Sequence, residues 1–401
     1  MSTGPEKVLD SLTAGLIRVK EARRLRTGSA AVSCYYRVVV PVSDPDGQHS
    51  SASSRMSEEE FIPTGRHDSL RSDGQIMRAS QTNRAPKVSV IIPTYKTADL
   101  IATCLDSVFA QTYSDFVAMV VNDGSPDTPE LERVLQPYMD RIVYIKQENK
   151  RAAGARNNAI RQAQSEFVAF LDSDDTWMPD HLSSQMQLFA ENPSLDLVYC
   201  DAMLVYQLGD ECKFMERNPS NGEVTFEALI VERCQIPIST VVARKKALVD
   251  AGLFDEKLPR CDDYDMWVRT AFSGAKIAYS RNLGANLAAD RPGSLSQSRA
   301  RMIEGYWNIL EKFKRTLPLK DADRVTVDAR AAEIRARYLL EEGKCKMAAC
   351  QFEEARQLIS EANKHFQKSL LSLALLGLSI APHATAKLMP FWAKIRTAAS
   401  A

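Results

Sequence analysis

The chain has 401 residues, 45 % of them hydrophobic and 25 % charged, which is enough for two or three folded domains with buried cores. Lys plus Arg and Asp plus Glu balance at 51 each, so no global field draws nucleic acid, and an anionic ligand has to be met by a local arrangement. The eight cysteines form no CxxC pair and have no histidines at zinc-ligand spacing, which points to a reduced, cytoplasmic setting.

The N-terminal segment lacks the long apolar core of a secretory signal, so no export is expected. Residues 1–84 read as a weakly structured leader: 42–84 is rich in Ser, Asp, Gly and Arg and poor in large apolar residues. The run YYRVVV at 35–40 is strand-like, but one strand has no stability of its own. From Lys87 the texture changes. VSVIIP (88–93), FVAMVVND (116–123), IVYIKQ (142–147) and FVAFLD (167–172) are short β-branched and aromatic runs, each followed by polar turn residues. Between the first two, Leu100, Ile101, Cys104, Leu105 and Val108 recur at helical spacing within 98–111.

Strands that are continuously apolar are buried on both faces, which predicts an α/β fold with a mostly parallel sheet sandwiched by helices. In such sheets the ligand crevice lies beyond the carboxyl ends of the strands. Pro93, Thr94 and Tyr95, then Asn122–Ser125, then Asp172–Asp175, all fall there. A second segment, from 195 to about 296, again mixes strand-like and helix-like runs. Beyond about 300 the pattern is helical over 302–313, 322–342, 345–367 and 368–379. The longest apolar run, 370–382, is too short to span a bilayer, which takes ~20 residues.

Four clusters carry chemistry. In FVAFLDSDDTW, Asp172 and Asp174 flank Ser173, and side chains two apart on extended backbone point the same way. Carboxylates that close repel and raise one another's pKa, so a positive charge belongs beside them. A helix-loop-helix calcium site is excluded, because Trp177 stands where its glycine is required. Two readings stay open: a solvated turn that caps the next helix, or a magnesium or manganese site whose remaining ligands are water and phosphate. Asp123, in NDGS, can accept hydrogen bonds from a base or ribose. Arg151 and Arg156, in a loop entering a helix, fit either phosphate recognition or a solvated basic face. Asp262 and Asp263 open a helix whose dipole favours negative charge, which explains one of them better than both.

VSVIIPTYK (88–96), VVNDGSPDT (120–128), ENKRAAGARNNAI (148–160), FLDSDDTWMPDHL (170–182), GLFDEKL (252–258) and DDYDMWVR (262–269) occur in an order and spacing that resemble the family 2 glycosyltransferases of GT-A fold, in their non-processive bacterial form. The resemblance covers about 85–300. It implies a GT-A glycosyltransferase domain at 85–300, with a nucleotide-sugar and metal half at 85–180 and an acceptor half at 181–300, followed by a helical region at 301–401. It implies that Pro93, Thr94, Tyr95 and Asp123 hold the nucleotide, commonly uridine. Arg151, Arg156 and Arg291 would meet the diphosphate, and Asp172 and Asp174 a Mn2+ or Mg2+ ion bridging it. Asp263, assisted by Asp262, would deprotonate the acceptor hydroxyl in an inverting transfer from a UDP-sugar to a glycan or lipid-linked acceptor.

The QxxRW signature of processive synthases is absent, so one sugar per encounter is expected. The C-terminal helices read either as simple core packing, through Leu339, Ala348, Phe352, Ala355, Ile359 and Ala362, or as a peripheral contact with the inner face of the plasma membrane. Two alternatives differ in class from sugar transfer: a sugar nucleotidyltransferase, disfavoured because PTYKTADL lacks a Gly-rich loop, and a catalytically silent scaffold that binds nucleotide sugar.

Overall fold

The computed structural model describes residues 85–291 and 298–395, with side chains as far as Leu388. The expected leader, its YYRVVV run and the loop just after Arg291 lie outside the described residues. Each apolar run identified after Lys87 is a strand: β1 Val88–Thr94, β2 Phe116–Asp123, β3 Ile142–Gln147 and β4 Phe167–Phe170. Helices α1 (Ile101–Phe109), α2 (Thr128–Leu135) and α3 (Arg151–Gln162) separate them. Crossover helices force parallel pairing, and β1 runs parallel to both β2 and β4, and β2 to β3.

The sheet continues through β5 (Thr176–Trp177), β6 (Leu197–Val205), β7 (Glu211–Lys213), β8 (Val242–Arg244) and β9 (Ile277–Ala288). Strand order is β3-β2-β1-β4-β8-β6-β9-β5, with β7 alongside β6. Here the pairing becomes mixed: β8 is antiparallel to β4 and to β6, whereas β9 lies parallel to β6. At 12 residues β9 extends well past its apolar start at Ile277–Tyr279, because the Asn- and Gly-containing stretch after Ser280 pairs with β6 through a register shift.

Side chains alternate across the sheet into two cores. Val90, Ile92, Ala118 and Val120 pack on one face with Ile101, Leu105 and Val108 of α1 and with α4 (His181–Glu191). Ile91, Met119 and Val121 pack on the other with Ala153, Ala155 and Ile160 of α3. That second core reaches through three short helices, α5 (Phe214–Arg217), α6 (Phe226–Ile230) and α7 (Lys245–Asp250), to α8 (Asp262–Phe272) and α9 (Arg299–Thr316). Ile309, Leu310 and Phe313 of α9 belong to it, so the helical region shares a core with the sheet.

The remaining helices are α10 (Asp321–Ala348), α11 (Phe352–Phe366), α12 (Ser369–Ile380) and α13 (Pro382–Ile395). The expected unbroken helix over 345–367 is interrupted at Cys350, whose φ of 59° is left-handed. Ala355, Ile359 and Ala362 form the buried stripe of α11, whereas Ala348 is exposed. The seven described cysteines are free. No described helix is long and apolar enough to cross a membrane.

Phe170 couples the sheet to the helices that carry the acidic residues: it is fully buried and meets Phe254 edge-on at 5.5 Å and Trp267 at 6.0 Å. Phe170→Ala should therefore cost about 3–5 kcal/mol, read as a lowered urea midpoint with little change in slope.

Candidate active site

The polar strand ends gather at one edge of the sheet. Beyond β2, Asp123 is buried, and its Oδ1 accepts hydrogen bonds from the Gln147 side-chain amide at 2.7 Å and the Lys150 backbone N–H at 2.8 Å. Burial outweighs these donors and raises its pKa. Gly124 follows with a φ of +63°, and a Cβ there would stand 2.7 Å from the Asn149 backbone nitrogen; glycine is required for this close approach. Beyond β1, the Thr94 hydroxyl is buried and donates to the Val121 carbonyl at 3.0 Å. Its role is to lock two strand ends together. Pro93 is half-buried, while Tyr95 is 44 % exposed, with the Lys96 ammonium 5.4 Å from its ring centre. Arg151 is exposed, at the first position of α3 with a φ of 61°.

The aspartates beyond β4 have distinct environments. Asp172 Oδ1 accepts from Arg156 at 2.6 Å, and the same guanidinium donates to Asp262 Oδ2 at 2.9 Å. Arg156 is 4 % exposed, so it is neither a basic surface residue nor free to meet a phosphate; it bridges two acidic clusters 90 positions apart, at Asp172 and Asp262. Burial works against its charge, and the carboxylates of Asp172 and Asp262 more than compensate, raising its pKa.

Asp174 pairs with Arg291 at 3.0 Å, and burial with the charge of Asp172 raises its pKa against that pairing. The positive charge that the sequence calls for is thus present within the chain, as Arg156 and Arg291. Asp175 is no helix cap. It is buried, takes the Ser239 hydroxyl at 2.6 Å and the Ala288 N–H at 2.9 Å, and so ties the strand-end loop to β9. The Ser239 hydroxyl in turn accepts the Asp172 N–H at 3.1 Å, and the Ser239 carbonyl accepts the Trp177 indole N–H at 2.6 Å. Ser239 lies outside every quoted motif, and Gln147 and Lys150, although inside quoted runs, gave no sign of meeting Asp123, because these contacts come from backbone groups or from residues distant in sequence.

Asp262 and Asp263 stand in the first turn of α8, after Cys261 in left-handed conformation. Burial raises the pKa of Asp262 against the pull of Arg156. Asp263 is pushed to about 6 by burial and by repulsion from Asp262, with Arg156 opposing. A carboxylate in this range accepts a proton more readily than an ordinary one and is still ionised at neutral pH. Asp263 also lines a cavity of about 210 Å³.

Helix α8 is anchored from its other side. Asp265 is fully buried between Arg269, at 2.8 Å, and Lys312 of α9, at 2.7 Å; Lys312 also reaches Asp255 at 2.6 Å. The charge of Asp262 is what an Asp262→Asn substitution removes, so the Asp263 midpoint near 6 should fall toward the ordinary carboxylate range. Carbon-13 NMR titration of labelled aspartates reads this directly, and an unmoved midpoint would contradict the electrostatic account.

The glycosyl transferase family 2 model matches residues 89–246, which span β1 to α7. An uncharacterized glycosyltransferase of Rickettsia conorii is 31 % identical over 200 residues, 49 % of this chain and 33 % of that protein. The chain thus spans about a third of the length of that relative. The UDP-Glc:alpha-D-GlcNAc-diphosphoundecaprenol beta-1,3-glucosyltransferase WfgD of Escherichia coli is 27 % identical over 227 residues, covering 56 % of this chain and 86 % of that one. Among solved structures, the mannosyltransferase PcManGT from Pyrobaculum calidifontis, in complex with GDP-Man and Mn2+, aligns with a TM-score of 0.50 at 20 % identity, over 78 % of this chain and 89 % of that one. The architecture is GT-A, and over residues 89–246 the chain is similar to glycosyl transferase family 2.

Proposed function

We propose that the chain is an inverting glycosyltransferase that moves one sugar from a nucleotide-diphosphate donor, UDP-linked in the first instance, to a hydroxyl of a glycan or lipid-linked acceptor. The observation that carries this reading is the Arg156 bridge, which ties Asp172 of the strand-end acidic cluster to Asp262, the neighbour of Asp263, through one buried cation. Donor-side and acceptor-side carboxylates then belong to a single site. WfgD, a relative named for a UDP-glucose donor and a diphosphoundecaprenol-linked acceptor, supports the donor and acceptor classes.

Asp123 and the exposed Tyr95 are assigned to the nucleoside, as acceptor and stacking surface respectively. Thr94 and Pro93 shape that end of the sheet. Arg151 and Arg291 are assigned to the diphosphate. Asp172 and Asp174 suit a divalent cation: both are hard oxygen donors with partly accessible side chains, and Arg156 engages Oδ1 of Asp172. Among the described residues no three acidic, His or Cys groups cluster as a metal cage, so a magnesium or manganese ion here would take its remaining ligands from phosphate and water. When bound, such an ion supplies charge neutralisation for the leaving diphosphate.

Asp263 takes the acceptor proton as the acceptor oxygen bonds to the anomeric carbon. Asp262 keeps the Asp263 carboxylate basic, and Arg156 restrains both. Rate should therefore rise with pH through about 6 and level above it, following ionisation of Asp263. Asp263→Asn should lose roughly 10²–10⁴-fold in transfer while retaining a manganese-dependent thermal shift with the nucleotide sugar. Full transfer by that variant would remove the base assignment. Release of pyrophosphate from a nucleoside triphosphate would favour a nucleotidyltransferase, and nucleotide-sugar binding without turnover would favour a silent scaffold.

A cytoplasmic site at the inner face of the plasma membrane belongs to the same reading. Leu373, Leu376 and Ile380 of α12 are 62, 57 and 74 % exposed and recur at helical spacing. The protein should co-sediment with vesicles containing anionic lipid, and a Leu373→Ser, Leu376→Ser, Ile380→Ser variant should remain in the supernatant.

A further inference from the structure

The cavity beside Asp263 is built by two parts of the chain. Phe214, Tyr264 and Trp267 line it from the sheet and its helices, and Tyr306 lines it from α9. Tyr264 and Tyr306 meet edge to face, with ring centres 4.9 Å apart and planes at 73°. Trp267 is 2 % exposed, and its indole N–H finds no hydrogen-bond partner among the described residues, so a buried donor stands at the wall of the cavity.

Glu232 also lines the cavity and has a φ of 57°, a conformation that residues other than glycine seldom adopt and that the surrounding structure must enforce. Its carboxylate pairs with Arg330 of α10, itself buried and paired with Glu333 at 2.6 Å. The cavity therefore joins an aromatic wall to polar groups, and at about 210 Å³ it lies below the roughly 300–1,000 Å³ of pockets for drug-sized ligands. Aromatic faces take the C–H faces of a sugar ring, and the amides of Asn218 and Gln235, also in its lining, suit hydroxyls.

Resting on the glycosyl-transfer reading, we propose that this cavity receives the terminal pyranose of the acceptor, and that Tyr306 and Glu232 determine which ring enters. Glu232 and Asp263 together disfavour an anionic ring, so the acceptor sugar is uncharged. Arg330 acts as a positioning residue for Glu232. The C-terminal helices α9 and α10 are thereby part of acceptor selection, one by supplying a wall and the other by fixing a carboxylate.

Saturation-transfer NMR on the full chain tests this with methyl glycosides of glucose, galactose, N-acetylglucosamine and glucuronic acid. The neutral glycosides should receive saturation and the glucuronide should not. Tyr306→Ala should weaken neutral binding by about tenfold, the loss expected from truncating an aromatic anchor. Glu232→Gln, a milder change, should admit the glucuronide. Absence of saturation for all three neutral glycosides, or equal binding to the wild type and Tyr306→Ala at an unchanged melting temperature, overturns the proposal. Thermal shift with the nucleotide sugar, run on the same proteins, separates the two readings: glycoside binding without donor binding sinks glycosyl transfer alone, and donor binding without glycoside binding sinks the subsite alone.

Discussion

The site depends on one buried guanidinium. Arg156 takes Asp172 and Asp262 at once, and taking either carboxylate out of water without it would leave an uncompensated charge in a poorly solvated crevice. Arginine suits this position better than lysine, because a planar fork can donate to two partners in fixed directions and does not give up its proton. The two carboxylates come from distant parts of the sequence: one stands just beyond β4 and the other begins α8. Their shared cation therefore fixes the distance between the end of the sheet and the start of that helix.

The other supports of α8 act in the same direction. Phe170, immediately before the acidic loop, packs on Trp267, so the strand and the helix are joined by an apolar contact as well as an ionic one. Lys312 and Arg269 satisfy Asp265, which is wholly buried, and Lys312 extends from α9. A buried carboxylate with two cationic partners is costly to expose or to leave half paired. The long C-terminal helices thus do more than extend the fold, since one of them holds the helix on which Asp263 stands.

Much of this was legible in the sequence, for identifiable reasons. Runs such as VSVIIP and FVAMVVND are apolar without alternation because both faces of β1 and β2 are covered, and the positions of Asp123 and Asp172 follow from where those runs stop. Arg156 was legible as a charge but not as a bridge: on a helical wheel it looks like part of a solvated basic face, and its partners lie 16 and 106 positions away. Asp175 shares a turn that reads locally as a helix cap, because a local pattern cannot register Ser239 and Ala288, which reach it from just before β8 and from β9. The extent of β9 was hidden by Gly284, which reads as a breaker; it is there because a Cβ would stand 2.4 Å from the Cys200 sulfur and 2.5 Å from His181 Nδ1.

The same electrostatics that prepare the acidic site for chemistry oppose stability. Asp263 has a folded-state pKa raised to about 6 from an ordinary value of 3.8, so the folded chain holds its proton more tightly than the unfolded chain does. Its favourable contribution is complete below 3.8 and is lost as pH rises through about 6. Above that, where the carboxylate is ionised and able to accept a proton, the fold must hold it against burial and against Asp262. Arg156 relieves part of that repulsion but does not cancel it, because burial and Asp262 still prevail. A base stronger than an ordinary aspartate is obtained here by burying Asp263, placing a second carboxylate beside it and supplying too little positive charge to neutralise both.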